Sequence, residues 1–235
     1  MRYQHVFFDL DHTLWDFRTN SRATLHDLYD ELDLGQRGVP DAAALVEVYE
    51  GINAALWAEY ESGRIPKAVL RVLRFRNTLR QFGVNDNGLS EHFASRYLES
   101  CPKRSALNPG ALDLLQLLAR DQVNMHIITN GFSEVQEIKL RSSGIAHFFD
   151  VVLTSEGAQA KKPDRRIFDL AMKRAGADPL GSLMIGDDPV NDVRGAMNAG
   201  MDQVHYLAHP GQGPEEGATF VVEALSELPG LLGLA

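Results

Sequence analysis

Near the N-terminus, the run Val6-Phe7-Phe8-Asp9-Leu10-Asp11-His12-Thr13 constrains the fold more than any other stretch. Val6, Phe7 and Phe8 read as a strand apolar on both faces, the pattern of a central strand in a parallel sheet, and the run stops at two carboxylates one residue apart. In an open α/β sheet, ligands bind beyond the carboxyl ends of the strands, so Asp9 and Asp11 are expected to face a substrate. A solvated turn is the plain alternative, because aspartate is common wherever a strand ends.

The rest of the chain separates into two kinds of pattern. Just past the carboxylates stand two large aromatics, Trp15 and Phe17, suited to a core or a pocket mouth. Helical spacing then dominates. Leu25, Leu28 and Leu32 share one face, Ile52, Leu56 and Tyr60 another, Val69, Val72, Leu73, Leu79 and Phe82 a third, and a fourth helix is expected over 89–100. The stretch 102–110 has the Pro and Gly punctuation of a linker. Beyond it strand and helix alternate. Strands are expected at 125–129, 151–153, 183–185 and 204–206, with helices carrying Leu114, Leu115 and Leu118, then Val135 and Ile138, then Ile167, Leu170 and Ala171 between them. The helix from Ser133 has Gln136 at the capping-box position. Such alternation implies right-handed crossovers and a parallel sheet. The expected fold is therefore α/β, a doubly wound Rossmann-like core from 1–16 and 104–235, with 17–103 inserted as a helical cap; 210–217 is expected to be loosely structured.

Polar residues fall at the ends of those strands. Asp9 and Asp11 follow the first, Thr129 and Asn130 end the second, Lys162 follows the third by a short loop, and Asp187 and Asp188 follow the fourth. Each alone has a dull explanation as a turn residue or surface charge. Together on one sheet edge they point to a shared active site. Asp9 and Asp187 can share a hard cation, and Mg²⁺ prefers one or two carboxylates completed by waters and a phosphate. Thr129, Asn130 and Lys162 supply donors for phosphate oxygens. Asp9, facing a phosphorus so held, can attack in line to give an aspartyl-phosphate, while Asp11 protonates the leaving alkoxide and then deprotonates the resolving water.

The segments Asp9-Leu10-Asp11-His12-Thr13-Leu14, Ile128-Thr129-Asn130-Gly131, Lys162-Pro163-Asp164 and Gly186-Asp187-Asp188-Pro189-Val190-Asn191-Asp192 resemble, in order, the four motifs of the haloacid dehalogenase superfamily. The resemblance implies that Asp9 is nucleophile and metal ligand, and that Asp11 is acid/base and binds metal through its backbone carbonyl. It makes Thr129 and Asn130 phosphate contacts, Lys162 the neutralising lysine with Lys161 as a neighbouring rival, and Asp187 the fourth-motif metal ligand. Asp192 is implied as a ligand through water or one place removed from the metal. His12 stands where many relatives have glycine or another residue and receives no chemistry. Within the superfamily, the segments Leu56-Trp57-Ala58-Glu59-Tyr60-Glu61-Ser62-Gly63 and Ile127-Ile128-Thr129-Asn130-Gly131-Phe132 are similar to those of bacterial noncanonical pyrimidine 5′-nucleotidases.

These features imply an Mg²⁺-dependent phosphomonoester hydrolase acting on a nucleoside monophosphate, with Trp15, Trp57 and Tyr60 as candidates for bordering a base. A sugar-phosphate phosphatase or phosphomutase is the alternative, and Asp11 argues against a dehalogenase. A receiver domain is far shorter than this chain, and a non-catalytic binding protein has no need of the full motif set. A formal charge of −9 disfavours nucleic-acid polymer or anionic membrane as partner but not a small anionic substrate. One cysteine, Cys101, excludes an intrachain disulfide and fits a reducing cytoplasm. Met1 to His5 lead into a strand, so no leader is expected, nor any span of the roughly 20 apolar residues a bilayer needs. A monomer or small homo-oligomer is expected. There is no Gly-x-x-x-x-Gly-Lys-Ser/Thr loop. His205 and His209 are four residues apart, but a strand followed by a loop need not bring them to one face, which leaves little for a zinc reading.

Overall fold

The computed structural model describes residues 2–208, 211 and 213–234; Pro210 and Gln212, part of the stretch expected to be loose, and His209 lie outside the described residues. The first strand, β1 (His5–Phe8), is followed by four long helices, α1 (Phe17–Glu31), α2 (Ala42–Glu61), α3 (Lys67–Gln81) and α4 (Asn87–Ser100). Then come α5 (Ala111–Arg120), β2 (Asn124–Thr129), α6 (Ser133–Ser142), β3 (Phe149–Thr154), the short α7 (Ser155–Ala158), α8 (Arg165–Ala175) and β4 (Ser182–Gly186). A wide-turned segment, Pro189–Arg194, runs into α9 (Gly195–Asn198), and β5 (Asp202–Tyr206), β6 (Phe220–Val222) and α10 (Leu228–Leu232) complete the chain. Among the described residues no helix is long and apolar enough to cross a membrane.

The chain forms two compact units: one reaches up to Phe17 and resumes at Ser105, and the other is Arg18–Arg104. In the first, six parallel strands take the order β3-β2-β1-β4-β5-β6. β1 lies in the middle because Val6, Phe7 and Phe8 have no face left for water; all three are fully buried. Phe8 pairs with Ile127 on one side and Ile185 on the other, so Asp9 emerges between the ends of β2 and β4. That is where successive crossovers leave in opposite directions, the crevice in which doubly wound sheets bind ligands. On one face Phe7, Met184, Ile167, Phe168, Ala171 and Ala196 form an apolar layer. At the edge, β6 was not expected: it is three residues long and carries too few positions for a readable alternation.

The helical unit packs around Tyr49, Phe75, Phe93 and Tyr97, whose ring centroids lie 4.8–5.6 Å apart. Asp41 and Asp86 cap α2 and α4 by accepting from Ala44 N and Leu89 N. Leu25, Leu28 and Leu32 are buried as spaced. α2 buries Leu45, Val46, Tyr49, Asn53 and Tyr60, and α3 buries Leu70, Arg74, Phe75, Thr78 and Leu79; of the residues expected on those two faces Tyr60 and Leu79 are buried, while Val69 is exposed. Apolar spacing finds only part of each face, because Asn53 on α2 and Arg74 and Thr78 on α3 are buried polar side chains. Arg74 lies 5.0 Å and 5.1 Å from the centroids of Phe75 and Tyr97 and donates to Asn53 Oδ1 at 3.2 Å, so its charge is buried against rings and an amide. Trp57 and Tyr60 pack edge to face.

Candidate active site

The loop after β1 is built to turn sharply. Asp9 N–H still donates to Ile185 O, continuing the ladder, but His12 takes φ +67°, in the left-handed region. That conformation is one that side chains other than glycine seldom adopt. Asn108 then pins the loop by donating from Nδ2 to the carbonyls of His12 and Thr13. Trp15 is fully buried, with the Lys139 ammonium 4.5 Å from its ring centroid, so its ring is packed in the first unit and is not an open stacking surface for a base.

Asp9, Asp187 and Asp192 each bring a carboxylate oxygen within 4.8 Å of the others. Lys162 lies among them. Its Nζ donates to Asp9 Oδ1 at 2.6 Å, Asp192 Oδ1 at 2.5 Å and Ile128 O at 2.8 Å, and 2% of its side chain is exposed. Of the two adjacent lysines, this one makes the contact. Asn130 holds it there: Oδ1 accepts from Lys162 N at 2.8 Å and Nδ2 donates to Lys162 O at 3.1 Å. The Asn130 side chain is thus engaged with the lysine backbone, a positioning role that sequence spacing did not suggest.

Gly186 is required by close approach. A Cβ there would fall 2.2 Å from Asp192 Oδ2, so only glycine lets the Asp192 carboxylate tuck beneath the end of β4. Asp192 Oδ2 accepts from Asp188 N, and Asp188 caps the following turn by accepting from Val190 N and Asn191 N. Thr13 Oγ1 donates to Asp187 Oδ1 at 3.1 Å. His205 is buried beneath the same loop; its Nδ1 accepts from Glu215 N, which leaves Nε2–H to donate to Asp187 O. That double engagement makes it a support for the Asp187 backbone, whereas His209 lies outside the described residues.

The Lys162 ammonium meets two of the three carboxylates, Asp9 and Asp192, and the acids register the imbalance. Burial pushes Asp187 well above the ordinary carboxylate range, and the Asp9 and Asp192 charges push it further. Burial likewise raises Asp9, with Lys162 opposing and Asp192 reinforcing. For Lys162 burial works against the charge, but the two aspartates overcome it and hold the ammonium more firmly than usual. A set of hard oxygen donors with more negative charge than its lysine neutralises fits a divalent cation such as Mg²⁺.

Asp11 is set apart from this cluster. Burial would raise its carboxyl, but the Lys139 ammonium and hydrogen bonds from Lys139 and Gln136 outweigh that and keep it below its usual range. Gln136 therefore does not close a capping box. The N-cap is Phe132, Ser133 N donates to Glu156 Oε2, and the Gln136 amide turns inward instead. α6 buries Gln136, Lys139 and Leu140, while Ile138 is exposed. The 136/139/140 spacing marks an inward face, which apolar periodicity does not register because two of the three residues are polar. Thr129 Oγ1 accepts from Gly131 N at 3.1 Å and Gln136 Nε2 at 2.8 Å, leaving its own proton to give away.

Comparison with known proteins agrees with this geometry. The chain matches the haloacid dehalogenase-like hydrolase family over residues 3–200. It is 34% identical to pyrimidine 5′-nucleotidase YjjG of Escherichia coli over 99% of both chains. Pyrimidine 5′-nucleotidase PynA of Streptococcus pneumoniae is also 34% identical, over 89% of this chain and 86% of its own. Among solved structures, the HAD-hydrolase YfnB of Bacillus subtilis, bound to magnesium, superposes with a TM-score of 0.87 at 27% identity, covering both chains fully.

Proposed function

The chain belongs to the haloacid dehalogenase-like hydrolases, and from that premise we propose that it is an Mg²⁺-dependent phosphatase whose substrate is a nucleoside 5′-monophosphate. The observation that carries the reading is the Lys162–Asp9 contact inside the three-carboxylate cluster. It gives a nucleophile, a fixed positive charge and hard oxygen ligands at one strand crevice. The two nucleotidases that match along most of the chain support the nucleotide.

In this reading Asp9, Asp187 and the backbone carbonyl of Asp11 hold the cation, and Asp192 stands one place removed, fixing Lys162. When bound, the cation neutralises phosphate and the cluster and stabilises charge on the transferring phosphoryl group. Lys162 orients the Asp9 carboxylate through Oδ1. Thr129 gives its hydroxyl proton to a phosphate oxygen, and Asn130 secures the lysine that faces the same group. Asp9 attacks phosphorus in line, forming the aspartyl-phosphate as the bond to the ester oxygen breaks. Asp11, held ionised in the free protein, takes up a proton as the anionic substrate binds and gives it to the departing alkoxide, then takes a proton from the water that attacks phosphorus, and Asp9 is released with inorganic phosphate. The helical unit is read as the cap that selects the rest of the substrate, and the protein as a cytoplasmic monomer or small homo-oligomer.

Phosphate release from nucleoside monophosphates, sugar phosphates and an aryl phosphate, with Mg²⁺ and with chelator, tests the proposal. Preference for pyrimidine monophosphates, lost on chelation, is expected. Fast sugar-phosphate turnover with poor nucleotide turnover would keep the phosphatase chemistry and discard the nucleotide.

A further inference from the structure

Both oxygens of the Asp11 carboxylate are held by one face of α6. Lys139 Nζ lies 2.5 Å from Oδ1, and Gln136 Nε2 donates to Oδ2 at 2.8 Å. The same Gln136 nitrogen donates to Thr129 Oγ1 at 2.8 Å. Neither α6 residue is a surface group: Lys139 is 4% exposed and Gln136 fully buried. They share a helical face because they are three residues apart. The Lys139 ammonium also rests 4.5 Å and 5.6 Å from the ring centroids of Trp15 and Phe17. Gly131 opens the path for the amide, since a Cβ there would fall 2.0 Å from Gln136 Nε2.

We propose that Lys139 and Gln136 are positioning residues for the proton-transfer step: together they fix the direction of the Asp11 carboxylate, and through Gln136 they tie it to the Thr129 hydroxyl. The proposal rests on the phosphatase reading and adds residues to it. Proton delivery to a leaving oxygen depends on where the carboxyl oxygen points, and general acid–base catalysis contributes about 10²- to 10⁴-fold in all. A sugar alkoxide needs that proton to leave, whereas p-nitrophenolate leaves readily without it. Misdirecting Asp11 therefore penalises the two esters unequally.

The test compares kcat/KM for a nucleoside monophosphate and for p-nitrophenyl phosphate in wild type, Lys139→Met, Lys139→Arg and Gln136→Leu. kcat/KM reports the first irreversible step, and its ratio between two substrates does not depend on how much of a variant is folded. Lys139→Met is expected to lose about 10- to 100-fold on the nucleotide and less than about 3-fold on the aryl ester, a share of the acid–base contribution, with Lys139→Arg largely restored. Its inhibition by inorganic phosphate should stay unchanged, while Gln136→Leu, which also releases Thr129, should weaken it several-fold. Crystals of Lys139→Met should show the Asp11 carboxylate turned from its wild-type direction. Equal losses on both esters, or an Asp11 that keeps its direction in those crystals, overturn the proposal. A wild-type enzyme inert on both esters would remove the phosphatase reading instead, and the Asp11 direction in the variant would still decide the positioning.

Discussion

Replacing Lys162 by methionine removes the ammonium that lies at hydrogen-bond distance from both Asp9 and Asp192. The side chain is 2% exposed, so water does not take its place. Breaking a buried ion pair by deleting one partner costs about 3–5 kcal/mol, because the remaining charge is left uncompensated. Here two carboxylates are stranded, and the Ile128 carbonyl loses its donor as well. The three losses share one nitrogen and do not add. A destabilisation of about 3–5 kcal/mol is therefore expected, a large part of the stability of an ordinary domain. Urea unfolding at neutral pH in chelator measures it, and an unchanged slope would assign the loss to the folded state. Added Mg²⁺ should raise the midpoint of the variant more than that of wild type, since the site is then more negative and cation binding stabilises the fold by mass action. Lys161→Met, next in sequence, should change stability by less than about 1 kcal/mol. A Lys162→Met protein within about 1 kcal/mol of wild type in chelator would refute the view that this lysine neutralises the cluster.

Other consequences follow from single positions. His126 is 1% exposed, and burial followed by the neighbouring His5 lowers its pKa from 6.5 to about 4. Between those values the unfolded chain binds a proton that the folded chain does not, so acidification through this window favours unfolding. Denaturation at pH 7.5 and pH 5 should show wild type losing about 2 kcal/mol more than His126→Gln, and equal losses would contradict the assignment. His12 occupies φ +67°, so His12→Gly should stay within about 1 kcal/mol of wild type while the β-branched His12→Val loses about 1–2 kcal/mol, read from thermal melts. Gly186→Ala would place its Cβ 2.2 Å from Asp192 Oδ2; overpacking of this kind costs about 1–3 kcal/mol, and turnover should fall with it as Asp192 leaves Lys162. Normal turnover in that variant would mean the Asp192–Lys162 contact does not matter to the reaction.

The legible parts of the sequence were those where one physical requirement acts alone. Val6, Phe7 and Phe8 announce a strand buried on both faces, and the residues that follow β1, β2 and β4 face the crevice because parallel strands end there together. What escaped is where two requirements compete. α6 turns Gln136 and Lys139 inward to meet Asp11, so its apolar residues Val135 and Ile138 mark the wrong face. α3 does the same with Arg74 and Thr78. Asn130 reads as a phosphate contact beside Thr129, yet its amide is matched to the Lys162 backbone 32 residues later, a pairing that local sequence cannot express. Gln136 satisfied a capping-box spacing by coincidence, since the N–H it was expected to serve is already met by other groups.

The central claim is that Asp9 is the nucleophile of a phosphoryl transfer. Its most direct test is acid quench of the Mg²⁺-loaded enzyme during turnover of a nucleoside monophosphate, reduction of any acyl phosphate with borohydride, and peptide mapping by mass spectrometry. The account predicts modification at Asp9, its absence in Asp9→Asn, and its accumulation in Asp11→Asn, where the resolving water lacks a base. Turnover with no modified peptide, or modification at another carboxylate, would contradict it.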